Sequence, residues 1–188
     1  MLEQGHIAKD ATATEAVDHY LTTSTKVSNV ATQLQRPGSG DWRFTQVLLD
    51  KSTYDPGESI NATFTLSPQT SDAPSTYLSG LLFNDREIAV CQLDSRLVGT
   101  WVHDQRLLTG SLKIDGITLK PGEYRLDLYV CTPMEIVDLF SGAATFSVSE
   151  LLPYPATAGP DAVASGAVLA NFSWCLQATS NDNLHESN

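Results

Sequence analysis

The sequence predicts a mainly β fold: an antiparallel Ig-like or jelly-roll β-sandwich of about eight strands, with a short N-terminal helix. Three observations predict it. Apolar and polar residues alternate with a period of two over Glu58–Leu66 and again over Glu123–Cys131. A Pro-Gly-Glu turn launches each of these stretches, at Pro56–Glu58 and at Pro121–Glu123. Short strand-like runs recur at roughly 8–12 residue intervals with turn residues between them, and no βαβ rhythm interrupts them.

The helix is expected near the start. Thr12 and Glu15 form a capping box, and Ala13, Val17, Tyr20 and Leu21 follow at helical spacing, so a helix is expected over Ala13–Thr22. Residues 23–40 are rich in Ser, Thr, Gln and Gly and read as a linker. The sandwich is expected over 41–177, and the polar segment 178–188 reads as a disordered tail.

Within the sandwich, Trp42–Leu49 is the first expected strand. Glu58–Leu66 follows the first Pro-Gly turn, with Ile60, Ala62, Phe64 and Leu66 on one face. A Pro/Ser/Asp loop over Ser67–Thr76 leads to Tyr77–Phe83 and Glu87–Leu93, joined through Asn84-Asp85-Arg86 as a hairpin. Leu107–Ile114 comes next. Glu123–Cys131 then places Tyr124, Leu126, Leu128 and Val130 inward, and Ala143–Val148 and Ala167–Trp174 complete the set.

The chain has 188 residues, 41% hydrophobic and 18% charged, which is the composition of one globular domain with appendages. No apolar run approaches the ~20 residues that a spanning helix requires. The first residues, Met1–His6, lack the basic and apolar regions of a secretory signal. Eleven basic residues against twenty-two acidic ones give a net charge of −11. That balance repels phosphate backbones and anionic lipid, so no nucleic-acid partner is expected. Cys91, Cys131 and Cys175 are too few and too widely spaced for a disulfide framework, and read as free thiols of a reducing cytoplasm.

Catalytic motifs do not appear. There is no phosphate-binding loop and no G-x-S-x-G nucleophile elbow. His6, His19, His103 and His185 sit in four separate segments without metal-ligand spacing. The loop Cys131–Met134 has a thiol and a thioether but lacks the histidines of a copper site, so no cofactor is expected. The carboxylates Asp94, Asp104, Asp115, Asp127 and Asp138 admit a glycosidase pair only if two of them converge in space.

A binding surface remains. Sugars are recognised by aromatic rings stacking on their C–H faces and by planar polar groups bonding their hydroxyls. The outward positions of Glu123–Cys131 are Arg125, Asp127 and Tyr129, which offer such groups. Trp101 and His103, in a loop or strand edge, add further candidates. The competing reading is a cross-strand ion pair for Arg125 and Asp127 and an ordinary strand former in Tyr129.

Three stretches carry a resemblance to a known family. Leu2–Ile7 followed by Thr14–Leu21 resembles the end of an ABC nucleotide-binding domain, where an L-x-x-G-x-I strand precedes a helix ending in Tyr-Leu. Gly38–Phe44 resembles the entry into a sugar-binding sandwich. Leu119–Tyr124, Val137-Asp138, Ala144–Val148 and Gly166–Trp174 resemble its later strands. Together they are similar to the C-terminal region of the Wzt family, the ATP-binding subunits of O-antigen polysaccharide ABC exporters. Asp10-Ala11, where many relatives have glycine, and the Pro/Ala-rich 151–164 depart from the pattern.

The resemblance implies that 1–22 is the end of an ATPase domain and that the rest is a non-catalytic carbohydrate-binding domain. It implies a homodimer, in some relatives with exchanged terminal strands. It further implies cytoplasmic recognition of the end of a lipid-linked polysaccharide, and a membrane-spanning transporter subunit as partner through the ATPase domain. Two other readings stay open: a structural Ig-like dimerisation or adhesion module that binds no glycan, and a β-sandwich glycosidase.

Overall fold

In a computed structural model, the chain is described over residues 36–103, 106–154 and 160–176, with the backbone of two short strands near the start. Those two, β1 (Leu2–Glu3) and β2 (His6–Ile7), pair antiparallel. Eight further strands follow: β3 (Trp42–Leu49), β4 (Thr53–Tyr54), β5 (Ile60–Pro68), β6 (Tyr77–Asn84), β7 (Ala89–Asp94), β8 (Leu108–Ile114), β9 (Gly122–Cys131) and β10 (Ile136–Val148). They form a three-stranded sheet in the order β3-β5-β8 and a five-stranded sheet in the order β4-β10-β9-β6-β7. All their pairings are antiparallel except the short β4–β10 contact. The mainly β antiparallel sandwich expected from the alternation is therefore present. The helix expected over 13–22, the linker as far as 35 and the tail 178–188 lie outside the described residues.

Period-two patterning decides which side chains meet. Ile60, Ala62 and Leu66 of β5 are buried against Trp42, Phe44 and Val47 of β3, while Tyr124, Leu126, Leu128 and Val130 of β9 face them from the other sheet. Aromatic edges brace neighbouring strands within each sheet: Phe44 meets Phe64 edge-on at 5.5 Å, and Tyr54 meets Phe146 at 5.3 Å. The Trp42 indole donates to the Pro74 carbonyl at 3.0 Å, so its one polar atom is satisfied in the core. Both Pro-Gly turns need the glycine, since Gly57 and Gly122 have φ of 86° and 144°.

One charged group sits at the centre of this apolar packing. Asp138 projects from β10 into the core, fully buried, and accepts from Arg36 at 2.8 Å, from Arg43 at 2.5 Å and from the Phe44 amide at 3.0 Å. Arg36 also bonds the Phe44 carbonyl and lies 4.6 Å from the Phe140 ring centroid. The last residues of the expected linker accordingly run along β10: Leu139 donates to Pro37, and Gly40 to Val137, at 3.0 and 2.9 Å. Gly38 passes so close that a β-carbon there would overlap the Val137 carbonyl.

Several elements differ from the sequence expectation. Ala143–Val148 is only the second half of β10, which begins at Ile136 and changes register between Phe140 and Ala144. β7 starts at Ala89 rather than Glu87 because Asn84 Oδ1 accepts the amides of Arg86 and Ile88, and Glu87 adopts φ 59°. The strand expected over Ala167–Trp174 does not form. Val168 bridges to Leu119 and Leu169 donates to Thr118, but Phe172, Trp174 and Leu176 stay exposed, because no strand among the described residues takes up their alternation.

Candidate carbohydrate-binding face

The register of the five-stranded sheet fixes one outer face. Arg125, Asp127 and Tyr129 of β9 share it with their cross-strand partners Phe83, Leu81 and Ser79 of β6. Leu139 of β10 faces Tyr129, and Gln92 and Asp94 of β7 face Leu81 and Ser79. The outward placement of the three β9 residues follows from strict alternation with buried Tyr124, Leu126, Leu128 and Val130.

Outward does not mean free. Asp127 is only 5% exposed, and its carboxylate is fully engaged. It accepts from Arg125 Nε at 3.0 Å, from Ser141 Oγ at 3.2 Å and from the Gly142 amide at 2.7 Å. The last two belong to the irregular stretch of β10, where Gly142 takes φ 63°. A bulge frees an amide from the ladder, and Asp127 supplies the missing acceptor. Arg125 is held from the other side by Glu87 at 2.6 Å, and its guanidinium lies 4.8 Å from the Phe83 ring centroid. The ion pairing weighed from the sequence as cross-strand instead runs along β9 itself, from Arg125 to Asp127, and is joined by Glu87 of the β6–β7 connection, which the sequence reading did not single out.

Trp101 and His103 lie at the other end of the same face. The Trp101 ring, 40% exposed, meets Tyr77 edge-on at 5.6 Å and stacks with His103 at 6.3 Å. His103 Nδ1 is 2.6 Å from Ser75 Oγ, which fixes the ring. Val102 between them pairs with Thr76 through two backbone bonds, so this segment is pinned to the start of β6. Arg96 covers one face of Tyr77, with its guanidinium carbon 3.8 Å from the ring centroid, and is itself paired with Asp94 at 2.7 Å.

Tyr129 joins the two groups. It faces Ser79 directly, so Tyr77 is its diagonal neighbour on the next strand, within reach of large side chains at about 7–8 Å. Burial pushes the Tyr77 and Tyr129 hydroxyls above the ordinary tyrosine value, so both remain neutral donors at physiological pH. The result is a ledge of aromatic rings and planar polar groups running from Trp101 to Arg125. Tyr77 and Arg96 were invisible as site residues in the sequence; only their cross-strand and stacking neighbours reveal them.

Two other concavities are present among the described residues. A depression of about 410 Å³ lies on the small sheet, lined by Gln46, Thr63, Thr65, Thr109 and Ser111. A cleft of about 560 Å³ lies beside the second Pro-Gly turn, between Asn84–Arg86 and Val163–Ala167. Among the described residues, no group of three His, Cys, Asp or Glu side chains is placed to hold a metal ion. Cys91, Cys131 and Cys175 are all unbridged. No helix among the described residues is long and apolar enough to cross a membrane.

Fold and face together define an antiparallel β-sandwich with an aromatic, hydrogen-bonding ledge on its larger sheet. A solved structure described as the crystal structure of the C-terminal domain of Wzt is similar, with a TM-score of 0.57 at 10% identity, covering 76% of this chain and 88% of that one. The chain therefore has the fold of the Wzt C-terminal domain. A DNA-bound structure of the alkylpurine DNA glycosylase AlkC from Pseudomonas fluorescens aligns at a TM-score of 0.35, 12% identity, 58% of this chain and 30% of that one, which is too distant to carry an argument. No protein-family model matches the chain. No curated protein matches it either.

Proposed function

We propose that this chain is a non-catalytic recognition domain that binds the end of a lipid-linked O-antigen polysaccharide and so permits its export by an ABC transporter. The observation that carries the reading is the partly exposed Trp101 ring, braced by Tyr77 and His103 on a Wzt-like sandwich. A braced indole offers a flat apolar surface to a sugar ring at little entropic cost. Tyr129, Arg125 and Glu87 extend the polar part of the ledge. In this reading the domain works in the cytoplasm beside the inner membrane. It meets the membrane-spanning subunit through an ATPase domain of which 1–22 is the end.

A homodimer belongs to the same proposal. Val168, Phe172, Trp174 and Leu176 lie on one parity of the chain and are exposed in a single copy. The three-stranded sheet leaves the edges of β3 and β8 unpaired among the described residues. A terminal segment of this pattern is suited to completing the sheet of a second copy.

Calorimetric titration against O-polysaccharides of the source organism tests the reading. One cognate glycan is expected to bind, with Tyr129→Ala and Trp101→Ala weakening it while the thermal melt stays cooperative. Absence of binding to every such glycan would leave the structural dimerisation or adhesion module in its place.

A further inference from the structure

We infer that the ledge takes an uncharged glycan end and discriminates against sugars bearing carboxylate or phosphate groups. The inference rests on the reading of this face as a glycan site and adds the chemical class of its ligand.

The argument is one of charge already committed. Anionic sugars are held by guanidinium groups with donors to spare, in bidentate geometry. Arg125 and Arg96, the guanidiniums that the described contacts place on this face, are both engaged. Arg125 holds Glu87 and Asp127, and Arg96 holds Asp94 through two of its nitrogens. Arg96 also presses one face on Tyr77, and Arg125 lies over Phe83. Two cations thus face three paired carboxylates, and exposed Glu123 adds a fourth at the end of β9. Arg86 lines the separate cleft beside Lys120 and Gly122.

Each guanidinium keeps one Nη that bonds no carboxylate, but an arriving anion would meet it beside a carboxylate already in place, and a grip on the paired nitrogens would require displacing that carboxylate. Releasing Asp127 is costly, since it is buried and also satisfies Ser141 and the Gly142 amide of the bulge. Releasing Glu87 is easier, since it is two-thirds exposed, but leaves its charge beside the ligand. The whole chain adds a background of −11. Sugar hydroxyls face no such barrier. They can donate to Glu87, the exposed carboxylate already held in place by Arg125, and charge-assisted bonds of that kind are the stronger class. Apolar side chains flank the aromatic end: Leu97 and Val98 are 83% and 78% exposed beside Arg96. A neutral ring loses least by contact with them.

The test is an array of bacterial O-polysaccharides, neutral ones beside those bearing uronic acid or phosphate, probed with the whole chain at two salt concentrations. Neutral glycans are expected to bind, with little dependence on salt, and acidic ones to bind at least about tenfold more weakly. Equal or tighter binding of acidic glycans would overturn the inference and leave the glycan site standing. No binding of either kind would remove the glycan site and the inference with it. A second arm uses Glu87→Gln, which keeps the shape of the turn and frees one side of Arg125. Acidic glycans are expected to gain about three- to tenfold on this variant, with the gain lost at high salt. An unchanged preference would overturn the role given to the Arg125–Glu87 pair.

Discussion

The Gly142 amide donates to Asp127 Oδ1 at 2.7 Å, and this bond ties the irregular turn of β10 to the middle of β9. Asp127 therefore shapes the ledge from beneath. Asp127→Ala is expected to lower stability by about 1–3 kcal/mol, because it strands the Gly142 amide, Ser141 and one side of Arg125. Glu87→Ala removes a far more exposed partner of the same arginine and is expected to cost less than about 1 kcal/mol. Urea titration of both variants, followed by far-ultraviolet circular dichroism, compares them directly. Equal losses would show that the bulge does not depend on Asp127.

Trp101→Ala separates recognition from folding. The indole is 40% exposed and lies at the edge of the core, so the melt is expected to move little. Glycan affinity is expected to fall by about tenfold or more, as for a stacked aromatic at a recognition surface. A large drop in melting temperature with unchanged affinity would assign Trp101 to the core instead.

Asp127 and Trp101 also mark where the sequence was legible. Alternation alone placed Ile60, Ala62 and Leu66 inward and Arg125, Asp127 and Tyr129 outward, because a strand has only two faces. It did not reveal that outward Asp127 is buried, since the bulge that covers it depends on Ser141 and Gly142, fourteen and fifteen residues away. Tyr77 and Arg96 were missed for a similar reason. Their stacking on one another, and the approach of Trp101, are products of strand pairing that no local pattern encodes. Ala167–Trp174 shows the opposite limit. Its alternation is genuine, but a strand also needs a partner, and among the described residues only the Val168–Leu169 step finds one.

The Asp138 cluster yields a stability prediction. Asp138 holds two arginines from a fully buried position, and Asp138→Asn would leave Arg36 charged and under-compensated in the core. Breaking such a cluster on one side is expected to cost about 3–5 kcal/mol. Differential scanning calorimetry should show it as a clear fall in melting temperature; a shift within error would mean that water reaches Arg36.

Acid should weaken the fold in a predictable direction. Burial pushes the Asp50 carboxyl up, but bonds from the Tyr54 hydroxyl at 2.5 Å and from Asn61 outweigh it, and the net shift is downward. Arg96 holds Asp94 down, and Ser59 and Lys113 hold Asp115 down. Each group has a lower value folded than unfolded. Its contribution is therefore present above the ordinary carboxylate value, near pH 4, and is lost as pH falls through the folded value. Denaturant midpoints measured from about pH 6 down to about pH 3 should decline, and Asp50→Asn should decline less steeply. A flat profile in the unmodified chain would contradict these bonds.

Residues 36–40 join β10 by backbone bonds and by Arg36, and Gly38 leaves no room for a side chain against Val137. The chain thus enters the sandwich through a welded seam rather than a swivel. A twist applied at residue 36 passes straight into the first half of β10. The second half of that same strand begins at the bulge that props Asp127 and, through it, Arg125. Mechanical input at the entrance and the shape of the aromatic ledge are carried by one continuous strand.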